Sequence, residues 1–219
     1  MVPKTNEDDT PESPASEAPA PEPAAEKPAA RAPRRGSRSA VAEPPLDDAL
    51  AAKLERADTL AAAGSHADAA EAFASVVAVR PDHVRALLGL GGALAAQGKF
   101  EAAEKELRRA EKLAPDAADV HLQLGATLYR RGNYAAAAVT LRRAVELDGE
   151  AAQAYLLLGE ALNQMAEPDA AIQVLEEAVR IQPESSKAYY AMGIAYDRKG
   201  NHDRAAEMYR LSRDPAAGR

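Results

Sequence analysis

Histidines and carboxylates are the side chains in this chain able to ligate a metal or move a proton, and their spacing says which of these they do. The four histidines are His66, His83, His121 and His202. His66 and His202 stand at one position of a 34-residue period, where Phe100 and Tyr134 stand in other copies; His121 takes the place of Tyr155 and Tyr189. Ligand histidines come at short, fixed offsets, so these read as members of a repeated frame and not as a metal set. Carboxylate pairs such as Glu176-Glu177 are neighbours on a helix and cannot flank one bond as a general acid and base must. Cysteine is absent, which removes thiolate ligands, disulfides and a cysteine nucleophile. Neither a phosphate-cradling glycine loop nor a nucleophile elbow occurs. The expectation is a protein that binds without catalysis, with no metal, no organic cofactor and no small-molecule substrate.

The same period sets the elements that must position these residues. Glycine recurs at Gly64, Gly98, Gly132 and Gly200, and alanine at Ala69, Ala103, Ala137, Ala171 and Ala205, always in whole 34-residue steps. A fixed step of this length without insertions marks a stack of supersecondary units. Leu87, Leu90, Gly91 and Leu94 form one apolar stripe at i, i+3, i+4 and i+7, and Gly98 ends that helix as a left-handed C′ residue would. Ala103, Leu107, Ala110 and Leu113 form a second stripe, ended by Pro115, with Asp116 placed to cap the next helix. Each unit is therefore expected to be an antiparallel helix pair.

These residues resemble the tetratricopeptide repeat (TPR) family. The second copy carries Leu90-Gly91, Leu94, Gly98, Phe100, Ala103, Leu107, Ala110 and Pro115 at the signature positions, and the third repeats them with Leu124-Gly125, Leu128, Gly132, Tyr134, Ala137, Leu141 and Ala144. The resemblance implies an all-α fold, a right-handed superhelical solenoid of antiparallel helix pairs. Its domain would span 46–214, with repeats at about 50–83, 84–117, 118–151, 152–185 and 186–214. Gly91, Gly125, Gly159 and Gly193 are expected opposite the second-helix alanines, letting two backbones approach, while Leu94, Leu128, Leu162 and Tyr196 fill the space between pairs. Copy four has Ala166 for the turn glycine, with Pro168 in the first turn of the following helix. Lys53 and Arg56 replace apolar residues of later copies and read as a water-facing cap. The last copy ends near Arg213 without a further helix, which leaves either an uncovered edge at Met208, Leu211 or both, open to self-association or a partner, or a simply fraying end.

In the family, the first helices line a concave groove that holds extended or helical peptide segments. Seven of the nine aromatic residues (Phe73, Phe100, Tyr134, Tyr155, Tyr189, Tyr196 and Tyr209) fall on core positions. Tyr129 and Tyr190 do not, and their helical face belongs to the groove lining. Leu54, Leu88, Leu122 and Leu156 share the repeat position of Tyr190, either as a groove ladder or as partly buried packing residues. Asp119, Arg130, Glu160, Asn163, Gln164, Asp197 and Arg198 are the polar candidates on the same helices. The clamp by which some members hold chaperone C-termini is absent, because its places hold Leu54, Asp58, Gly89, Asp119 and Gln123. Small Gly92, Ala95, Ala96 and Ala126 suit an apolar or helical segment.

Residues 1–45 have different physics. They hold ten of the fifteen prolines and neither an aromatic residue nor a leucine, a composition expected to give a disordered arm. Residues 215–219 are expected to be a disordered tail. Arg31, Arg34, Arg35 and Arg38 near the end of the arm form either a contact for nucleic acid or an anionic membrane, or a solvated charge cluster. The net charge of −7 argues against a body that wraps nucleic acid. No apolar run matches a bilayer span, and Met1-Val2-Pro3-Lys4 opens on no secretory-type apolar stretch, so a cytoplasmic location is expected. The function expected is a non-catalytic protein–protein interaction scaffold or assembly factor that binds a partner's peptide segment in the concave groove. Its alternatives are a homo-oligomer assembled through the last repeat, and attachment to nucleic acid or membrane through the arm.

Overall fold

The structure, a computed structural model, describes residues 47–215. The expected arm, its arginines Arg31, Arg34, Arg35 and Arg38, and all but the first residue of the expected tail lie outside the described residues. Ten α-helices follow one another: α1 (Asp48–Ala62), α2 (His66–Val79), α3 (Val84–Ala96), α4 (Phe100–Leu113) and α5 (Ala118–Arg130), then α6 (Tyr134–Leu147), α7 (Ala152–Gln164), α8 (Pro168–Ile181), α9 (Ser186–Arg198) and α10 (His202–Arg213).

Each pair is closed by the same turn. In the second, Lys99 N–H donates to the Leu94 carbonyl at 3.0 Å and Gly98 N–H to the Ala95 carbonyl at 3.1 Å, with Gly98 at φ +77°. This is a Schellman closure, in which two otherwise orphaned helix carbonyls are satisfied by a left-handed C′ residue. It recurs at Ser65, Asn133, Glu167 and Asn201, whose N–H groups reach back to Leu60, Leu128, Leu162 and Tyr196. In the fourth pair the left-handed position is taken by Ala166 at φ +58°, where a Cβ costs about 1–2 kcal/mol. Pro168 opens α8 at a position whose N–H would be unbonded in any case.

Packing follows the columns. Ala69, Ala103, Ala137, Ala171 and Ala205 are all at most 1 % exposed. The side-chain atoms nearest the first-helix Gly91, Gly125, Gly159 and Gly193 belong to large residues of the second helices. A Cβ at Gly91, Gly125 or Gly159 would lie 2.4–2.6 Å from Cγ of Leu107, Leu141 or Leu175, and one at Gly193 would lie 2.4 Å from Tyr209. The missing Cβ makes room for a leucine to lie flat on the opposing backbone, a contact a small pair could not fill.

Every first helix also touches the first helix of the next pair, whereas among the described elements no comparable contact joins successive second helices. The first helices are thus the crowded, inner side of the stack. The core is built from residues of first and second helices alike, in two adjoining stretches, with Leu88 packed against both.

Three expectations change. Asp116 does not cap α5; the cap position is Ala117, without a side-chain bond, and Asp116 instead pairs with Arg143 at 2.9 Å. Met208 and Leu211 are not an open edge, since each is only 8 % exposed. Both belong to the core cluster that runs through the later repeats. Of the seven aromatics placed in the core, only Phe73 is fully buried, the others being half-buried. Lys53 and Arg56 are exposed on the first pair, where they line a shallow polar hollow with Asp68 and Glu71.

Candidate partner-binding face

Five first helices, α1, α3, α5, α7 and α9, present the candidate residues along one side. The structure divides those residues into two groups. Leu54 and Leu156, at 4 % and 6 % exposure, are absorbed into the core, and Leu88 and Leu122 are half-buried against it. The leucine ladder is therefore largely packing, because the contact of each first helix with the next covers this position. Asn163 is also buried, at 3 %: its Nδ2 donates to the Ala191 carbonyl of α9 at 2.9 Å, tying α7 to the following pair. Its Oδ1 has no partner. These three residues are not available to a partner.

Tyr190 takes the same repeat position on α9, which no further first helix follows among the described residues, and it stands 57 % exposed. Its ring leans on Tyr209, with centroids 5.6 Å apart. The Tyr209 hydroxyl donates to Asp197 Oδ2 at 2.8 Å. Burial, then this bond, pushes Tyr209 up to about 12, while the Tyr209 bond, then His202 at 3.3 Å, holds the Asp197 carboxyl below its ordinary value. Asp197 is thus a positioning group for Tyr209, and through it for Tyr190.

Tyr129 is half-buried, packed against Tyr134 at 5.5 Å, with its hydroxyl beside Glu160 and Gln164 of α7. Burial is the first cause raising the Tyr129 hydroxyl, followed by the Glu160 charge. Glu160 is half-buried too. Burial pushes its carboxyl up, and the charge of Lys187 and the Tyr129 hydroxyl pull it back in part. Arg130 is exposed, with its guanidinium 5.4 Å from the centre of the Phe100 ring, and Arg198 is exposed near the end of α9. A shallow cleft between α7 and α9 is lined by Glu160, Ser186, Lys187 and Tyr190, with Ser212 of α10 behind. Sequence reasoning missed Lys187 and the supporting role of Tyr209. The 34-residue step from Arg85 to Asp119, Gln153 and Lys187 was the signal that marks Lys187 as a groove position.

The rings of His83, His121 and His202 have partners within the fold. His83 accepts the Ala86 N–H at 3.2 Å as the cap of α3, and His121 Nε2 lies 2.7 Å from the Pro115 carbonyl. No helix among the described residues is long and apolar enough to cross a membrane.

No curated protein matches the chain. Among solved structures, one of MamA is 27 % identical, covering 78 % of this chain and 93 % of that one with a TM-score of 0.69. A second MamA structure is 28 % identical over 74 % of this chain and 95 % of that one, with a TM-score of 0.67. YrrB, a TPR protein with an unusual peptide-binding site, shares the fold at 21 % identity over 74 % of this chain and 84 % of that one, with a TM-score of 0.64. Family models described as tetratricopeptide repeat match residues 54–118 and 122–186, and again 166–217. With helix pairs, turn glycines and buried alanines all in one register, the chain belongs to the tetratricopeptide repeat family.

Proposed function

We propose that this protein is a non-catalytic interaction scaffold that captures a peptide segment of a partner on the face of its first helices. The observation that carries this reading is Tyr190: a large ring 57 % exposed at a position that every other repeat fills with a half-buried or buried leucine. An aromatic side chain held from behind and open in front is the usual energetic anchor of a protein interface. Asp197 and Arg198 lie on the same helix, and Tyr129 and Arg130 lie on α5 of the same series of first helices. YrrB supports the reading by analogy, since a protein of this fold carries a peptide-binding site. Assembly through the last repeat has lost its motive with the burial of Met208 and Leu211. The test is a peptide array probed with the full chain and with the Tyr129→Ala/Tyr190→Ala variant. Bound spots are expected to fade by about tenfold or more in the variant while its helical circular dichroism is unchanged. Identical spot patterns would remove the face from consideration.

A further inference from the structure

Successive first helices meet through one repeated geometry. At the first junction, Asp58 of α1 and Arg85 of α3 form an ion pair at 2.5 Å. Steps of 34 residues carry this acid–base pair onto Gly92 and Asp119, then Ala126 and Gln153, then Glu160 and Lys187. The fourth junction therefore repeats the charges of the first, but not their contact. Lys187 is near enough for its charge to act on Glu160, yet among the described residues Glu160 forms no ion pair. Between the two lies the cleft that Tyr190 and Ser186 complete.

A half-buried carboxylate has given up part of its hydration, and an incoming cation restores that loss with a charge-assisted hydrogen bond. Beside it stands an exposed ring whose back is held by Tyr209, leaving the other face for a cation to lie on. The Tyr129 hydroxyl is also within hydrogen-bonding reach of Glu160. Each of these features favours a positive side chain over an apolar one. We propose that the α7–α9 cleft is a subsite for one lysine or arginine side chain of a bound peptide, with Glu160 as counter-ion and Tyr190 as ring platform. This rests on the first-helix face being the peptide receptor and adds the chemistry of one partner residue. Lys187 is the internal competitor, so the subsite discriminates by displacing an ammonium group that is close but not bonded.

The experiment measures fluorescence anisotropy of the full chain with three labelled, capped, leucine-flanked alanine nonapeptides that carry arginine, glutamine or glutamate at the centre. The arginine peptide is expected to bind most tightly, with an affinity that falls as salt rises. Glu160→Gln should weaken that peptide by about tenfold and leave the glutamine peptide within about twofold. Lys187→Ala should have the opposite sign and tighten the arginine peptide by a few-fold, a reversal that loss of structure cannot produce. Tyr190→Phe should retain binding that Tyr190→Ala loses. Equal affinity for the arginine and glutamine peptides, or weaker arginine binding by Lys187→Ala, would overturn the subsite. If all three peptides bind equally and the Tyr129→Ala/Tyr190→Ala variant releases them all, the receptor face stands and only its preference for a cation falls. If none binds and the double variant leaves the array unchanged, both fall.

Discussion

The junction of α1 with α3 and the junction of α7 with α9 use the same two repeat positions and the same two charges. In the first, Arg85 closes on Asp58 and the neighbouring place is filled by Leu88, half-buried against the core. In the second, Lys187 leaves Glu160 unpaired and the neighbouring place holds Tyr190, most of it in water. Beneath both, the frame is the same: turn residues with positive φ, alanines with no exposure, and large side chains laid on first-helix glycines. The difference teaches that the fold is stored in columns that do not change from repeat to repeat. What this chain can recognise is stored in the columns that do.

That division can be broken most directly through the frame. Leu141→Ala removes a fully buried side chain lying on Gly125 and should cost about 2–5 kcal/mol in denaturant unfolding. Tyr190→Ala should cost less than about 1.5 kcal/mol, the worth of an aromatic pair, while removing peptide capture. A loss for Tyr190→Ala as large as that for Leu141→Ala would erase the distinction between the two kinds of column. Ala166→Gly restores the residue the other turns use and relieves the left-handed Cβ, so a gain of roughly 1 kcal/mol is expected in the same assay. No gain would mean that the fourth turn is not held in the frame as the others are.

Lys187→Arg tests the comparison itself, since it gives the fourth junction the base of the first. The longer, forked side chain should reach Glu160, raise stability by at most about 1 kcal/mol and weaken the arginine peptide. The smallest effect is one of pH. Burial raises the folded-state Glu160 carboxyl above its ordinary value of 4.5, so the folded chain holds that proton more tightly than the unfolded one. The stability this contributes is fully present below the unfolded value and is lost as pH rises through the raised folded value. Unfolding of the native chain and of Glu160→Gln across a pH series should show the native chain losing ground as pH climbs from 4.5. A native chain that gains over the variant would show that Lys187 closes on Glu160 in solution.

Much of the fold was legible because the frame is written in local spacing. The turn glycines, the alanine column and the Leu-Gly pairs are each separated by one period, and each acts within its own helix pair or on the next. Where sequence reasoning slipped, the missing fact lay across helices. Asp116 reads as a cap by its neighbours in the chain, yet the guanidinium of Arg143 lies within reach and takes it. Leu54, Leu156 and Asn163 read as groove residues by helical face, but the closeness of successive first helices buries them. Met208 and Leu211 read as an edge by position, while in the fold both are buried in the core cluster.

Periodicity alone determined the all-helical stack and the antiparallel pairs, because these follow from which residues recur at a fixed step. Only the tertiary structure decided which of five equivalent positions are buried and which stand exposed. A one-dimensional repeat makes every unit look alike, and the distance at which two side chains from different helices stop, 2.5 Å for Asp58 and Arg85 and beyond bonding for Glu160 and Lys187, is set by packing that no single repeat contains.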